Sequence, residues 1–245
     1  MRTILSVIAL ASMLALATCG GKGEFDDETP SGGTSVPLNA TLKGKVVFEG
    51  TPPVQKPINS SSDPGCKNPD LKVEEVVVSD GGLEHVILFV SKGLEGKKFP
   101  TPKEEVLLDQ MGCHYIPHAM TIQVGQPLKI RNSDEVAHNV HAYAEVNKSF
   151  NISQANKGAE NVKTFDKEEM LLPVRCEVHN WMNSFIGVFA HPAHTVSKQG
   201  GAYEMKLPAG SYEVTAEHEK YGKQTQMVTV AENGTAELNF TFKAN

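Results

Sequence analysis

The chain has no basic run and no basic patch, and its formal net charge over 245 residues is -6. That excludes the electrostatic footprint of a nucleic-acid-binding domain. The acidity bears on solubility and on the charge of partners rather than on fold. Beyond residue 18 there is no apolar run long enough to cross a bilayer as a helix. Sustained helical periodicity is missing, and at most one turn is expected near Val196. There is no evident nucleophile triad and no pair of carboxylates spaced for acid–base work, so the chain is not read as an enzyme. Aromatic residues are modest in number, with a single tryptophan, Trp181. Cysteine is scarce: Cys19, Cys66, Cys113 and Cys176.

At the start of the chain, Arg2 precedes an apolar run from Ile4 to Ala17. The run is too short to span a bilayer comfortably and reads as a secretory signal over residues 1–18. It ends in Leu16-Ala17-Thr18-Cys19-Gly20, which resembles a bacterial lipobox. The resemblance implies a lipid on Cys19 and attachment to the bacterial cell envelope, facing the periplasm or the exterior. Thr18 departs from the usual Gly, Ala or Ser, which leaves open a different cleavage site and a soluble periplasmic product. Residues 19–39 are rich in Gly, Asp, Glu and Ser and are expected to form a flexible tether.

From Ala40 onward the pattern is short alternating runs broken by turn residues, which points to an all-β sandwich. A strand over 40–50 stops at Thr51-Pro52-Pro53. Residues 73–79 and 85–90 flank Asp80-Gly81-Gly82 and have the composition of a hairpin. Runs over 105–110, 120–124 and 128–132 follow, the last two separated by Gly125-Gln126-Pro127. The polar stretch 147–159 is expected to be loop. Beyond Pro192 the pattern again reads as strands and turns, through Leu207-Pro208-Ala209-Gly210-Ser211-Tyr212 and Asn233-Gly234.

The chemistry concentrates in two places. Arg175 to Met182 places a thiol, an imidazole and a thioether at C-x-x-H-x-x-M spacing, as Cys176, His179 and Met182. Upstream lies Ser133-Asp134-Glu135-Val136-Ala137-His138-Asn139-Val140-His141. Two imidazoles, one thiolate and one weak thioether are the ligand set of a blue-copper centre. Pro173 to Cys176 reads as a strand end and Ser184 to Phe189 as the next strand, so a short hairpin presents three ligands at one sheet end. His138 is expected to close the site across the sandwich from another strand end. The plain alternative is a buried cysteine, a methionine filling the core and histidines on loops.

Together with Gln123-Val124-Gly125-Gln126-Pro127-Leu128-Lys129-Ile130-Arg131-Asn132 before them, these motifs resemble the cupredoxin family, the plastocyanin and amicyanin group. The resemblance implies a Greek-key sandwich over about 76–192 with one type 1 copper. His138, Cys176 and His179 would lie in the plane and Met182 on the axis. Asn139 would tie the ligand loops together, and Trp181 would shield the metal or simply pack. His141, expected on the face of His138, is the alternative ligand or a neighbour that tunes the site. Two residues between successive ligands is the amicyanin spacing, although Val178 stands where proline is common. The implied function is one-electron transfer to a transient redox partner through a small interface. A second set of histidine clusters, as a multicopper enzyme needs, is absent from the sequence. A copper carrier or scavenger, or a non-metallic β-sandwich binding module, are the alternatives.

The stretch Leu207 to Tyr212 with its following turn resembles a carboxypeptidase regulatory-like β-sandwich module. Only about fifty residues remain after 192, little for an independent β core. The usual opening of that module, G-x-V-x-F-x-G-x-P-P, is present at Gly44 to Pro53. Residues 40–75 are therefore expected to contribute strands to the 193–245 module, with the cupredoxin-like domain inserted between them. If Cys19 is lipidated, three cysteines remain in an oxidising compartment, and an odd number suggests a metal-binding thiol. The economical pairing is a Cys66–Cys113 disulfide with Cys176 on copper. A second metal at Cys113-His114-Tyr115-Ile116-Pro117-His118 is weighed against a disulfide and a structural loop, and the latter is preferred.

Overall fold

Strand Ala40–Glu49 buries Ala40, Leu42, Val46 and Phe48, all of one parity, so a single face of the strand enters a core. It pairs antiparallel with Ala202–Leu207 and parallel with Thr235–Glu237 and Phe240–Lys243. Gly44 explains the glycine of the opening motif, because a Cβ there would stand 1.8 Å from the Leu238 carbonyl oxygen. This strand is the centre of a six-stranded sheet. A four-stranded sheet, His194–Val196, Ile87–Lys92, Gly210–His218 and Gly222–Val230 in that order, supplies the other wall. Leu42, Phe48, Leu83, Leu88, Leu207, Tyr212, Val214 and Phe240 pack between them.

A second sandwich holds the candidate site. Its five-stranded sheet runs Phe150–Gln154, His138–Ala142, Glu169–Arg175, Asn183–Phe189 and Ala119–Gln123. Its four-stranded sheet runs Glu160–Lys163, Leu128–Asn132, Val106–Gln110 and Tyr115–Ile116. Leu108, Ile122, Ile130, Val140, Leu172, Val174 and Ile186 fill the space between. The two sandwiches meet through Ile87, Ala119 and Phe189, with the rings of Phe89 and Phe189 4.8 Å apart. The fold is all-β, in a computed structural model that describes residues 36–66 and 68–244. The expected signal segment, Cys19 and most of the tether lie outside those residues.

Several expectations are corrected. Residues 73–79 and 85–90 do not form one hairpin: only Val78–Ser79 pairs with Gly82–Leu83. His85 adopts a φ of 63°, which breaks the extended backbone. The following strand, 87–92, then pairs with Gly210–His218 instead. Val76, Val86, Leu88, Val90 and Leu94 accordingly belong to the core of the first sandwich, so the boundary at 76 is displaced. Conversely Ile58, Cys66 and Leu71 pack on the site-bearing core. The loop expected over 147–159 contains the edge strand 150–154, whose Phe150 and Ile152 pack on that same core. The turn expected near Val196 is a short 3-10 turn at Gln199–Gly201, just after strand His194–Val196.

A chain ending at His194 loses the partners of Leu42, Val46, Phe48 and Leu88, and each such side chain contributes about 1.5–3 kcal/mol when buried. Together that is comparable with the roughly 5–15 kcal/mol stability of a typical domain. Amide protection over 40–49 and 87–92 is therefore expected to vanish in the truncated chain. Hydrogen exchange measures this, and retained protection there would contradict the shared core.

Candidate metal centre

Strand Glu169–Arg175 delivers Cys176 at its end, and Asn183–Phe189 begins immediately after Met182. The connecting loop is closed by Cys176 N–H donating to the Met182 carbonyl at 3.2 Å and Met182 N–H to the His179 carbonyl at 2.9 Å. His138 opens the neighbouring strand of the same sheet, where Ala142 is registered against Val174 and His141 against Arg175. The expectation that His138 closes the site across the sandwich is thus corrected: adjacent strands of one sheet bring the side chains together. The opposite sheet contributes Asp134, from the loop after Leu128–Asn132.

The donor atoms converge. His138 Nδ1 and His179 Nδ1 are 3.0 Å apart, and Cys176 Sγ is 3.9 Å from His179 Nδ1. One donor atom from each of His138, Cys176 and His179 lies within 4.8 Å of the others. Exposure is 0 % for His138, 3 % for Cys176, 2 % for His179 and 1 % for Met182, so bulk water has no direct access to the group. Met182 belongs to the same core cluster as Cys176.

Two carboxylates that the sequence did not single out set the tautomers. Asp134 Oδ2 lies 2.9 Å from His138 Nε2, and Asp63 Oδ2 lies 3.0 Å from His179 Nε2. Burial pushes Asp134 up, but His138 and the N–H groups of Cys113 and Gly112 outweigh it and hold the carboxyl below its ordinary value. Asp63 is lowered by His179 first and then by the Gly65 N–H. Ionised carboxylates only accept, so each Nε2 carries the hydrogen and each Nδ1 keeps its lone pair. Two lone pairs 3.0 Å apart repel unless a proton or a metal ion lies between them. Without a metal a proton fills that role. Burial lowers the affinity of His138 for it, but Asp134 and Cys176 overcome this and raise the imidazole to about 9. Burial likewise raises Cys176, yet hydrogen bonding to His138 and to backbone N–H groups brings it down to about 7. Two neutral imidazoles, a readily ionised thiol and a buried thioether fit a soft or borderline transition metal.

Asn139 Oδ1 accepts the Glu177 N–H at 2.7 Å and lies 3.4 Å from Cys176 Sγ, while its Nδ2 donates to Asn151 at 2.7 Å. It therefore links the His138 strand to the cysteine loop. The Trp181 ring is 5.1 Å from that of His179, and its Nε1 donates to the Cys113 carbonyl at 2.9 Å. His141 stays outside the cluster, with Nδ1 2.7 Å from Glu177 Oε1 and its ring stacked on Tyr143 at 3.8 Å. It lies three positions beyond His138, and the two-residue alternation of a strand sends it to the other face, which corrects the expectation of a shared face. Cys66 and Cys113 are joined in a disulfide with Cα atoms 5.5 Å apart, and Cys176 is free. His114 and His118 do not join the centre: His118 Nε2 lies 2.5 Å from Glu219 Oε1.

No protein-family model matches the sequence, and no curated protein matches it. Solved structures do. A copper-containing nitrite reductase from Thermus scotoductus SA-01 aligns at 21 % identity over 38 % of this chain, with a TM-score of 0.34. The match spans only 24 % of the reductase. A Cu(I) methionine-to-alanine variant of amicyanin aligns at 20 % identity over 34 % of this chain and 81 % of its own, with a TM-score of 0.31. An oxidised proline-to-glycine variant of amicyanin covers 41 % of this chain and 90 % of its own at 18 % identity and a TM-score of 0.31. These are likenesses over part of the chain.

Asp134→Asn and Asp63→Asn keep the shape but no longer force hydrogen onto Nε2. Each is expected to weaken metal binding about 10–100-fold, with an unchanged far-UV spectrum. Competition titration against a metal chelator measures it, and unaltered affinity would show that the carboxylates do not orient the imidazoles.

Proposed function

We propose that this chain is a cupredoxin-like electron carrier with one type 1 copper centre, held by His138, Cys176 and His179 with Met182 as the weak axial ligand. The observation that carries the proposal is the pair of Nδ1 atoms 3.0 Å apart beside a buried free thiol. When bound, copper supplies a one-electron couple between Cu(II) and Cu(I). The chain supplies everything else. Its strands fix the ligand atoms, so little need move between oxidation states. The apolar core and Trp181 keep water from the thiolate, and Asp63 and Asp134 keep both rings in the ligating tautomer.

No bond is made or broken in such a reaction, which makes the protein a carrier rather than an enzyme. A redox partner protein would bind weakly at the exposed loops around the ligands. The Leu16 to Gly20 motif supports a lipid on Cys19 and a place in the bacterial cell envelope. The first sandwich, with strand Ala40–Glu49 paired to the C-terminal strands, supports the carboxypeptidase regulatory-like reading as a scaffold. Burial of all four ligands favours slow metal exchange, which suits an electron carrier better than a copper scavenger.

Adding Cu(II) to the full chain is expected to give an intense thiolate-to-copper charge-transfer band that disappears in Cys176→Ala. A colourless copper adduct would overturn the proposal. Ligation must also displace protons. With His138 at about 9, one proton leaves per copper between neutral pH and that value, and with Cys176 at about 7 a second leaves at lower pH. Apparent affinity should therefore fall about tenfold per pH unit from 9 to 7 and more steeply below. A pH-independent affinity would show that these groups are not the ligands.

A further inference from the structure

The imidazoles that aim Nδ1 at Cys176 turn their outer edges toward the disulfide. Cys66 Sγ lies 3.6 Å from His179 Nε2. Asp63, Cys66 and His179 form one group of metal-capable atoms within 4.8 Å of one another, and Cys113, Asp134 and His138 form another. The disulfide joins these two groups. Donors capable of holding a soft metal are therefore arranged on both sides of the same pair of rings.

Hydrogen bonds on each side place the two sulfurs independently of the bond between them. Cys66 N–H donates to the Asp63 carbonyl at 3.0 Å, and Gly65 N–H to Asp63 Oδ1 at 2.9 Å. Cys113 N–H donates to Asp134 Oδ2 at 2.8 Å, and its carbonyl accepts from Trp181 Nε1. None of these contacts runs through the S–S bond, and Cys66 and Cys113 are 2 % and 1 % exposed.

We propose that Cys66 and Cys113, when reduced, form a second metal site selective for a soft monovalent cation such as Cu(I). A dithiol reductant opens the S–S bond and leaves as its own disulfide, and its two hydrogens end on Cys66 Sγ and Cys113 Sγ. Binding of Cu(I) then releases both protons to solvent and makes two sulfur–copper bonds. Thiolate is the ligand type that suits this ion. The His179 Nε2–H, which Asp63 Oδ2 accepts at 3.0 Å, also lies beside Cys66 Sγ at 3.6 Å and puts a partial positive charge next to the sulfur. The imidazoles keep Nδ1 free in this arrangement, so the second site does not compete with the first. A chain whose bridge has not closed thus holds Cu(I) one imidazole ring away from the Cys176 centre, and closing the bridge removes the second site.

The test uses the full chain carrying Cys176→Ala and counts copper as the difference between the reduced and the oxidised protein, so that any ion held by His138, His179 and Met182 cancels. The protein is reduced anaerobically, freed of reductant and titrated with Cu(I) against a chromophoric chelator. The reduced protein should bind one equivalent more than the oxidised protein. Adding Cys113→Ser, or alkylating both thiols, should abolish that extra equivalent, and alkylation does not require the serine variant to fold. The folded site should also bind at least about tenfold more tightly than the same reduced chain in urea, because its donors are preorganised. No extra equivalent in the reduced protein, an extra equivalent that survives loss of the thiols, or equal affinity in urea would each overturn the proposal.

Discussion

Two imidazole nitrogens aimed at each other across 3.0 Å inside a dry core require a positive charge between them, and the surrounding structure is arranged so that they stay aimed. Rotating either ring would release the pair, but Asp134 and Asp63 hold the outer nitrogens. Those carboxylates are held in turn by backbone N–H groups of Gly112, Cys113 and Gly65. The site therefore draws together three segments distant in sequence: Asp134 to His138, the loop from Cys176 to Met182, and the segment that carries Asp63 and Cys66. The disulfide ties the last of these to the loop that the Trp181 indole also holds.

This arrangement gives the chain's path its physical sense. The polypeptide passes from the first sandwich at strand Ala40–Glu49 to the end of the second that carries the candidate site, at Cys66. It returns to the first over Val76 to Leu94 before building the remaining strands of the second. The first sandwich is thus a support whose two ends in sequence enclose the site-bearing sandwich. Contacts such as Phe89 on Phe189 and His118 with Glu219 join the two bodies close to the strand that follows the ligand loop.

Much of the candidate site was legible because its chemistry is local. Cys176, His179 and Met182 lie within seven residues, and a strand on each side dictates that they share one end. His138 was legible from the turn and alternating strand before it. The capping carboxylates were not. Asp134 is four residues before His138, a spacing that carries no signal in a loop, and Asp63 is separated from His179 by 116 positions. The strand at Phe150–Gln154 was hidden because an edge strand with one wet face reads as polar loop.

The sequence by itself determined the all-β class, the strand at 40–49 and the short turn that carries Cys176, His179 and Met182, because alternation, turn residues and side-chain spacing are properties of neighbouring residues. Only the tertiary structure decided that His138 and Cys176 stand on adjacent strands of one sheet. It also decided that His141 faces away, that strand 87–92 belongs with the C-terminal strands, and that two aspartates complete the site. Strand register and sheet membership depend on which distant faces bury each other, and that is settled by packing across the whole chain.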